Sequence, residues 1–385
     1  MGSTTDLPSA SSPSLTLTHP STTELPQIWA ANHHMWGAAL TQEAYIARER
    51  YLTTIPLAKN SGLTHWILTT SSPPSSSSSR PILSSCESLR KPALAVSPSG
   101  EVTEGIAHGI ASVFTSPEYR GKGYASRMMK ELGPRLENWQ ADEQHPSLFS
   151  VLYSDIGKQF YAKNGWAAFE SAHLSFPPVH ETPSVPSDSQ AQPIIGFDSL
   201  EELCAKDEEL LRAVLVRRAK ESGRTAVALA PSLDQILWHL YREDFVTNAI
   251  FNRTPSIRGA VYGSPGKRVW ALWMRGYYGG IEKIEGNTLH ILRFVLEDEG
   301  SDEEYLARGV KEIVEIAQKE AAEWKIAEVQ VWNPGEKLKA LVGRSGVKFD
   351  FVDRDKDSIA SLMWYGEGKT ADVDWVYNEN AIFWT

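Results

Sequence analysis

Cysteine is scarce: the 385 residues include two, Cys86 and Cys204. They stand far apart, and neither has a second cysteine at ligand-like spacing. This excludes a disulfide framework and a zinc cluster, and it fits a reducing compartment. Long apolar runs are also missing. None approaches the roughly 20 residues of a membrane span, so no membrane partner is expected. Excess positive charge is absent, since 38 Lys and Arg face 48 Asp and Glu for a net charge of -10. No general binding of nucleic acid is expected, although local basic patches stay open. The opening stretch MGSTTDLPSASSPS lacks the apolar centre of a signal peptide. Residues 1–13 are expected to form a disordered tail, and a cytoplasmic location is the default.

What is present is an ordinary globular composition, 42% hydrophobic and 22% charged. The length allows two or three domains. SSPPSSSSSRP, residues 71–81, separates two β-like runs and reads as a loop. FPPVHETPSVPSDSQAQP, residues 176–193, has little to bury and reads as a linker. The expected organisation is therefore an N-terminal domain over 14–178, a linker over 179–193 and a C-terminal domain over 194–385. Composition and periodicity predict strands at 14–20, 64–70, 92–98, 106–115, 147–154 and 166–169. They predict helices at 24–32, 41–52, 126–139 and 156–163, with Pro134 set to kink or break the third. The second half begins with helices at 199–222 and 232–245. Strands at 257–262, 268–276 and 288–296 follow, then a helix at 301–324, a strand at 327–333, a helix at 336–342, and strands at 347–351 and 358–364. The order β-β-β-α-β-α-β thus occurs twice, which predicts two copies of one α/β layout without residue-level similarity.

The most informative stretch is VFTSPEYRGKGYASRMM, residues 113–129. A β-rich run ends, and Arg120-Gly121-Lys122-Gly123-Tyr124-Ala125 leads straight into a helix. A helix N-terminus exposes unpaired N–H groups and partial positive charge. Glycines let an anion approach those groups, and Arg120 and Lys122 add charge. A plain loop with surface cations would read the same on these six residues alone.

Together with SDIGKQFYAKNGW, residues 154–166, the segment resembles the GCN5-related N-acetyltransferase (GNAT) superfamily. Arg120, Gly123 and Ala125 meet the spacing of its phosphate-binding signature. Phe160-Tyr161, Gly165 and Trp166 match its later signature, with Ser154 where Asn is usual and Gly157 where Ala is usual. More loosely, WGAALTQEAYIARERYL, residues 36–52, and an aromatic-rich C-terminus resemble fungal lysine N-acetyltransferases. The resemblance implies a GNAT fold with a splayed mixed central sheet, followed by a second, degenerate GNAT-like domain. It implies acetyl-CoA as cosubstrate and no metal. Val113, Phe114 and Thr115 would pair with pantetheine, and Arg120 to Ala125 would hold the diphosphate. Ser154 and Lys158 would also contact the cofactor. Tyr161 matches the position that commonly protonates the leaving thiolate.

A base must also remove the ammonium proton. Glu104 and His108 are candidates, as residues an even interval apart near the strand that leads to the loop; a water chain is the alternative. His33, His34 and Trp36 lie where the superfamily often contacts acceptor. Glu379 and Trp384 belong to a terminal stretch whose aromatics and carboxylates suit a cationic amine, or simply a packed tail. In the second half, Glu297, Asp298, Glu299, Asp302, Glu303 and Glu304 crowd the equivalent helix start and would repel a diphosphate. That half is expected to wall the substrate pocket instead. The leading expectation is acetyl transfer to a small-molecule amine, free lysine favoured, by a monomer or homodimer. A polyamine, an amino sugar or a xenobiotic amine would fit the same chemistry. A non-catalytic CoA-binding sensor is the reading from another class.

Overall fold

In the computed structural model, which describes residues 7–71, 80–180 and 190–377, the chain builds two sheets. It begins with β1 (Leu15–Thr18), α1 (Leu25–Trp36), α2 (Gln42–Leu52), β2 (Leu63–Thr70), β3 (Ser84–Val96) and β4 (Val102–Phe114). Next come α3 (Tyr124–Asn138), β5 (Ser147–Ser154), α4 (Gln159–Ala162), β6 (Ala167–Ala168) and β7 (Ala172–Phe176). The second half starts with β8 (Gln192–Ile195), α5 (Leu200–Ser222), β9 (Thr225–Leu229) and α6 (Leu233–Phe251). β10 (Ile257–Tyr262), β11 (Val269–Tyr277), β12 (Asn287–Leu296), α7 (Glu303–Glu323) and β13 (Glu328–Trp332) follow. α8 (Glu336–Ser345), β14 (Asp350–Asp353), β15 (Ile359–Trp364) and β16 (Val373–Trp375) complete the described chain.

Local chemistry explains most of these bounds. Thr41 caps α2, its Oγ1 accepting from the Ala44 N–H at 3.2 Å, with Glu43 in the first turn. Gly223, at φ 64°, ends α5 in the left-handed conformation that glycine adopts without strain. α3 places Met128, Met129, Leu132 and Leu136 on one fully buried face. Pro134 lies inside it, and the helix still runs on to Asn138. We expect Leu132→Ala to lower unfolding free energy by about 2–5 kcal/mol in a denaturant titration, because the core around α3 loses a branched side chain.

The first sheet runs β1-β2-β3-β4-β5-β15-β6, with β9 paired to β3 and β16 to β9. The second runs β14-β7-β13-β12-β11-β10-β8. Both carry the expected β-β-β-α-β-α-β order, each with a parallel pair at its centre: β4 with β5, and β12 with β13. The sheets do not divide where the linker composition changes. β7, from before the linker, pairs with β13 and β14 of the second sheet. β15, from near the other end, lies antiparallel to β5, from Ile359↔Ser154 to Trp364↔Phe149. The reason is hydrogen-bond satisfaction: β5 is buried along its length, and a buried strand edge needs a partner. One core joins the two sheets, with Phe149 and Val151 of the first packing in it with Trp270, Leu272 and Trp332 of the second. Of the expected linker, residues 181–189 lie outside the described residues.

Two expectations change in ways that matter for the site. Residues 7–13 were expected in a disordered tail, yet this stretch packs across the start of α3. Tyr124 Oη donates to the Pro8 carbonyl at 2.6 Å, and Arg127 Nη1 donates to the Ala10 carbonyl at 2.7 Å. The strand expected at 92–98 begins at Ser84, eight residues earlier. Its added part is polar in sequence but buried. Ser84 Oγ donates to the Phe114 carbonyl at 3.0 Å, and Ser88 Oγ accepts from Trp66 Nε1 at 2.9 Å. Among the described residues no helix is long and apolar enough to cross a membrane.

Candidate active site

The site starts with a defect in strand pairing. Ser85 of β3 faces Phe114 of β4, and Glu87 faces Ala111, so β4 carries one additional residue between them. This bulge holds Ser112 at φ 53°. Ser112 Oγ donates to Glu87 Oε1 at 2.7 Å and ties the bulge to the neighbouring strand. A bulge bends its strand and sharpens its twist. On the other side, β4 and β5 pair from Ile106↔Ser147 to Ile110↔Leu152, and the register stops there. β4 continues to Phe114 and β5 to Ser154, so the two strands fork. A cavity of about 1310 Å³ opens at the fork, lined by Val113, Phe114, Thr115, Leu152 and Tyr153 among others. Strand backbone released from its neighbour offers N–H and C=O groups to an extended ligand carrying amides.

Below the fork lies the glycine loop. Gly121 and Gly123 sit at φ 77° and 84°, where a side chain is strained. A Cβ at Gly121 would meet nothing within 4 Å, and one at Gly123 would meet only the Ala10 Cβ, at 3.2 Å. α3 starts at Tyr124 with no acidic residue in its first turn. Arg120 Nε donates to the Thr115 carbonyl at 2.9 Å, tying the loop to the end of β4. Lys122 lies 5.8 Å from the Tyr119 ring. Among the described residues neither cation has an ion-pair partner. Arg120 and Ala125 line the cavity, and Tyr124 is buried beneath it. A helix N-terminus with open space and no acid beside it has the chemistry that suits an anion.

Tyr161, on α4, is buried and lines the same cavity. Burial, with Cys86 and Asp155 nearby, pushes its phenol well above the usual range, so it keeps its proton at neutral pH. Ser154 spends its hydroxyl on its own turn, donating to the Gly157 carbonyl at 2.7 Å and accepting from the Ile156 N–H at 3.2 Å. Lys158 pairs with Asp355 at 2.8 Å near the surface.

The two expected bases are not brought together. Glu104 is exposed and accepts from Arg212 Nη1 of α5 at 2.7 Å. His108 is fully buried, with Nε2 3.0 Å from the Trp139 carbonyl at the end of α3, and burial pulls it down to about 4. Neither lines the cavity. Several carboxylates do line it, Glu49, Glu87, Asp155, Glu285, Asp353, Asp355 and Asp357, and of these Glu87 is the buried one, the rest being half-buried or exposed. Glu87 lies in the polar stretch SSCESLR, outside the expected strands. Burial first, and the like charge of Glu49 second, push it up to about 7. Glu49 itself is held by Arg48, whose Nε donates to it at 2.9 Å. His65 lies 3.5 Å from Glu87, and burial pulls that imidazole down to about 4. Glu87 therefore has a hydroxyl donor and a neutral imidazole beside it.

Of the expected acceptor residues, Trp36 lines the cavity, its ring 6.3 Å edge-on from Phe114. His33 Nε2 is 2.8 Å from the Leu40 carbonyl, and His34 Nδ1 is 2.8 Å from the Ala31 carbonyl; neither lines the cavity, but their rings pack 5.5 Å from Tyr45 and Phe114, which do. Glu379 and Trp384 lie outside the described residues. The second half supplies cavity residues that no local pattern marked, including Arg242 from α6, His290 from β12, Trp332 from β13 and Arg354 from the β14–β15 turn, and β7, which joins the second sheet, adds His173. At the helix start equivalent to that of α3, the Asp302 carboxylate caps α7, accepting from the Tyr305 N–H at 3.0 Å. Glu303 there engages Lys337 and Arg344.

Comparison with known proteins adds five findings. The family described as "LYC1 GNAT-like C-terminal domain" matches residues 173–384, and "Acetyltransferase (GNAT) domain" matches residues 93–168. An uncharacterized protein of Saccharomyces cerevisiae is 25% identical over 250 residues, covering 57% of this chain and 61% of that protein. A protein named lysine acetyltransferase, from Yarrowia lipolytica, is 34% identical over 149 residues, covering 35% of this chain and 36% of its own length. A crystal structure of a probable N-acyltransferase from Enterococcus faecalis aligns with a TM-score of 0.49 and 15% identity, over 90% of this chain and 72% of that one. The chain thus spans less than two thirds of the length of either curated relative.

Proposed function

Because the chain belongs to the LYC1 GNAT-like family, we propose that it is an N-acetyltransferase that moves acetyl from acetyl-CoA to a small-molecule amine, free lysine favoured. One observation carries this reading. A buried carboxylate raised toward neutrality and a buried phenol line a single cavity at the β4–β5 fork, beside a helix N-terminus free of acids. Gly121 to Ala125 hold the diphosphate of the cosubstrate on their N–H groups, and Val113 to Thr115 pair with its pantetheine amides. Glu87 accepts a proton from the bound ammonium, and the neutral amine attacks the thioester carbon. Tyr161 gives its proton to the departing thiolate as the C–S bond breaks, CoA leaves as the thiol, and the extra N–H proton of the tetrahedral intermediate restores the phenol as the amide forms. The name of the Yarrowia relative supports lysine as acceptor.

The test is thiol release from acetyl-CoA across lysine, a polyamine and an amino sugar. Turnover with lysine well above the others is expected; CoA binding without turnover on any amine would make the protein a sensor. In the same assay, Tyr161→Phe is expected to lower kcat by about 100-fold. Its affinity for CoA should stay unchanged. Full turnover in this variant would remove the phenol from the chemistry.

A further inference from the structure

Arg354 stands in the turn between β14 and β15 and lines the cavity. It is 9% exposed, and its Nε, Nη1 and Nη2 atoms are all buried without a hydrogen-bond partner. A guanidinium carries five N–H donors, and hiding them unpaired is costly. The groups facing it do not relieve this cost. His173 and His290 are imidazoles that burial keeps neutral, with the Arg354 charge acting in the same direction. Tyr153 is a buried phenol that keeps its proton. Asp155 and Asp357 act on Arg354 only through space, and Asp155 is engaged by the Ser358 N–H at 3.1 Å. The guanidinium carbon lies 4.2 Å from the centroid of the Trp332 ring, a contact that leaves the N–H edge available to a ligand.

We propose that Arg354 binds the carboxylate of the acceptor, so that the acceptor is an amino acid bearing a side-chain amine. This rests on the amine-acceptor reading above and adds a second recognition element to it. The forked edge of a guanidinium matches a carboxylate through two parallel hydrogen bonds. The diphosphate of the cosubstrate has its own cradle at Gly121 to Ala125. The same cavity carries Glu87 for the cationic end. A ligand with both charges fits one wall from each sheet, Glu87 from the first and the Trp332–Arg354 pair beside the second.

The experiment is calorimetry on the full chain and Arg354→Gln, with three probes: L-lysine, cadaverine (the same amine without the carboxylate) and CoA. Wild type should bind lysine, and the variant should bind it about 10- to 100-fold more weakly. Cadaverine should bind weakly and equally to both, and CoA should bind equally to both. Arg354→Lys should recover part of the lysine affinity, as a point charge without the fork. The ligand-free melting temperature of Arg354→Gln should equal or exceed that of wild type, since an unpaired buried charge has gone. Equal lysine binding by both proteins, or cadaverine bound by wild type as tightly as lysine, overturns the proposal. So does loss of CoA affinity in the variant, which would make the anion a phosphate, and so does wild type that binds no lysine. Because calorimetry reads binding alone, a protein that acetylates no amine would sink the transferase reading and leave the Arg354 result standing or falling by itself.

Discussion

Glu87→Gln is expected to lower kcat/KM by about 1000-fold at pH 8 and to remove the acid limb from the pH profile. In the wild type the carboxyl is raised to about 7 by burial and by the like charge of Glu49, against the Ser112 hydroxyl, Arg242 and Arg48. Below that pH it is protonated and cannot take the ammonium proton, so the rate falls about tenfold per unit. Above it the carboxylate persists and the profile levels off. Glutamine keeps the side-chain oxygen that accepts from Ser112 Oγ, so the bulge keeps its tie. Removing an ionisable group from a buried site does not threaten the fold at pH 8, where the ionised carboxylate carries the desolvation cost. A variant that keeps both the rate and an acid limb near pH 7 places the base elsewhere.

Gly123→Glu weakens CoA binding by about 1000-fold or more, through three separate effects. The residue sits at φ 84°, where an L side chain costs about 1–2 kcal/mol. Its new Cβ comes within 3.2 Å of the Ala10 Cβ, in a segment pinned by Tyr124 and Arg127. Its carboxylate enters the space proposed for the diphosphate, at a helix end that now carries no acid. Gly123→Ala separates these effects, since it keeps the strain and the contact but adds no charge. Titration of both variants with CoA, followed by calorimetry, should give a small loss for alanine and a near-complete one for glutamate. Equal losses would mean that backbone strain, not charge, governs the cradle.

The glycine loop and Tyr161 could be placed at one cavity from the sequence because their signals are local. Two glycines, two cations and a helix start lie within six residues, and Tyr161 falls at a fixed interval beyond them. Strand limits were legible where composition is apolar on both faces: 147–154 and 257–262 coincide with β5 and β10. Glu87 was hidden because its strand is polar there. Serines that hydrogen-bond inside a cavity wall look, in sequence, like loop. Glu104 and His108 misled for the opposite reason. Even spacing promised one shared face, but one is drawn out by Arg212 and the other covered by the end of α3. Arg354 and the partners of β7 and β15 were illegible, because they depend on contacts between residues roughly 150 to 200 positions apart, as in Val329↔Phe176 and Ile359↔Ser154.

The exchange of β7 and β15 between the sheets sets an order of events during synthesis. As the chain leaves the ribosome, β5 emerges about 200 residues before the strand that seals its open edge. Until then the nascent first half holds an apolar strand with a bare flank, the kind of edge that recruits other chains. Native completion waits for the last tenth of the described chain, and the catalytic fork closes on one side only when both halves exist. Such long-range closure slows folding. It also ensures that a truncated product, lacking β15, is born without a finished active site.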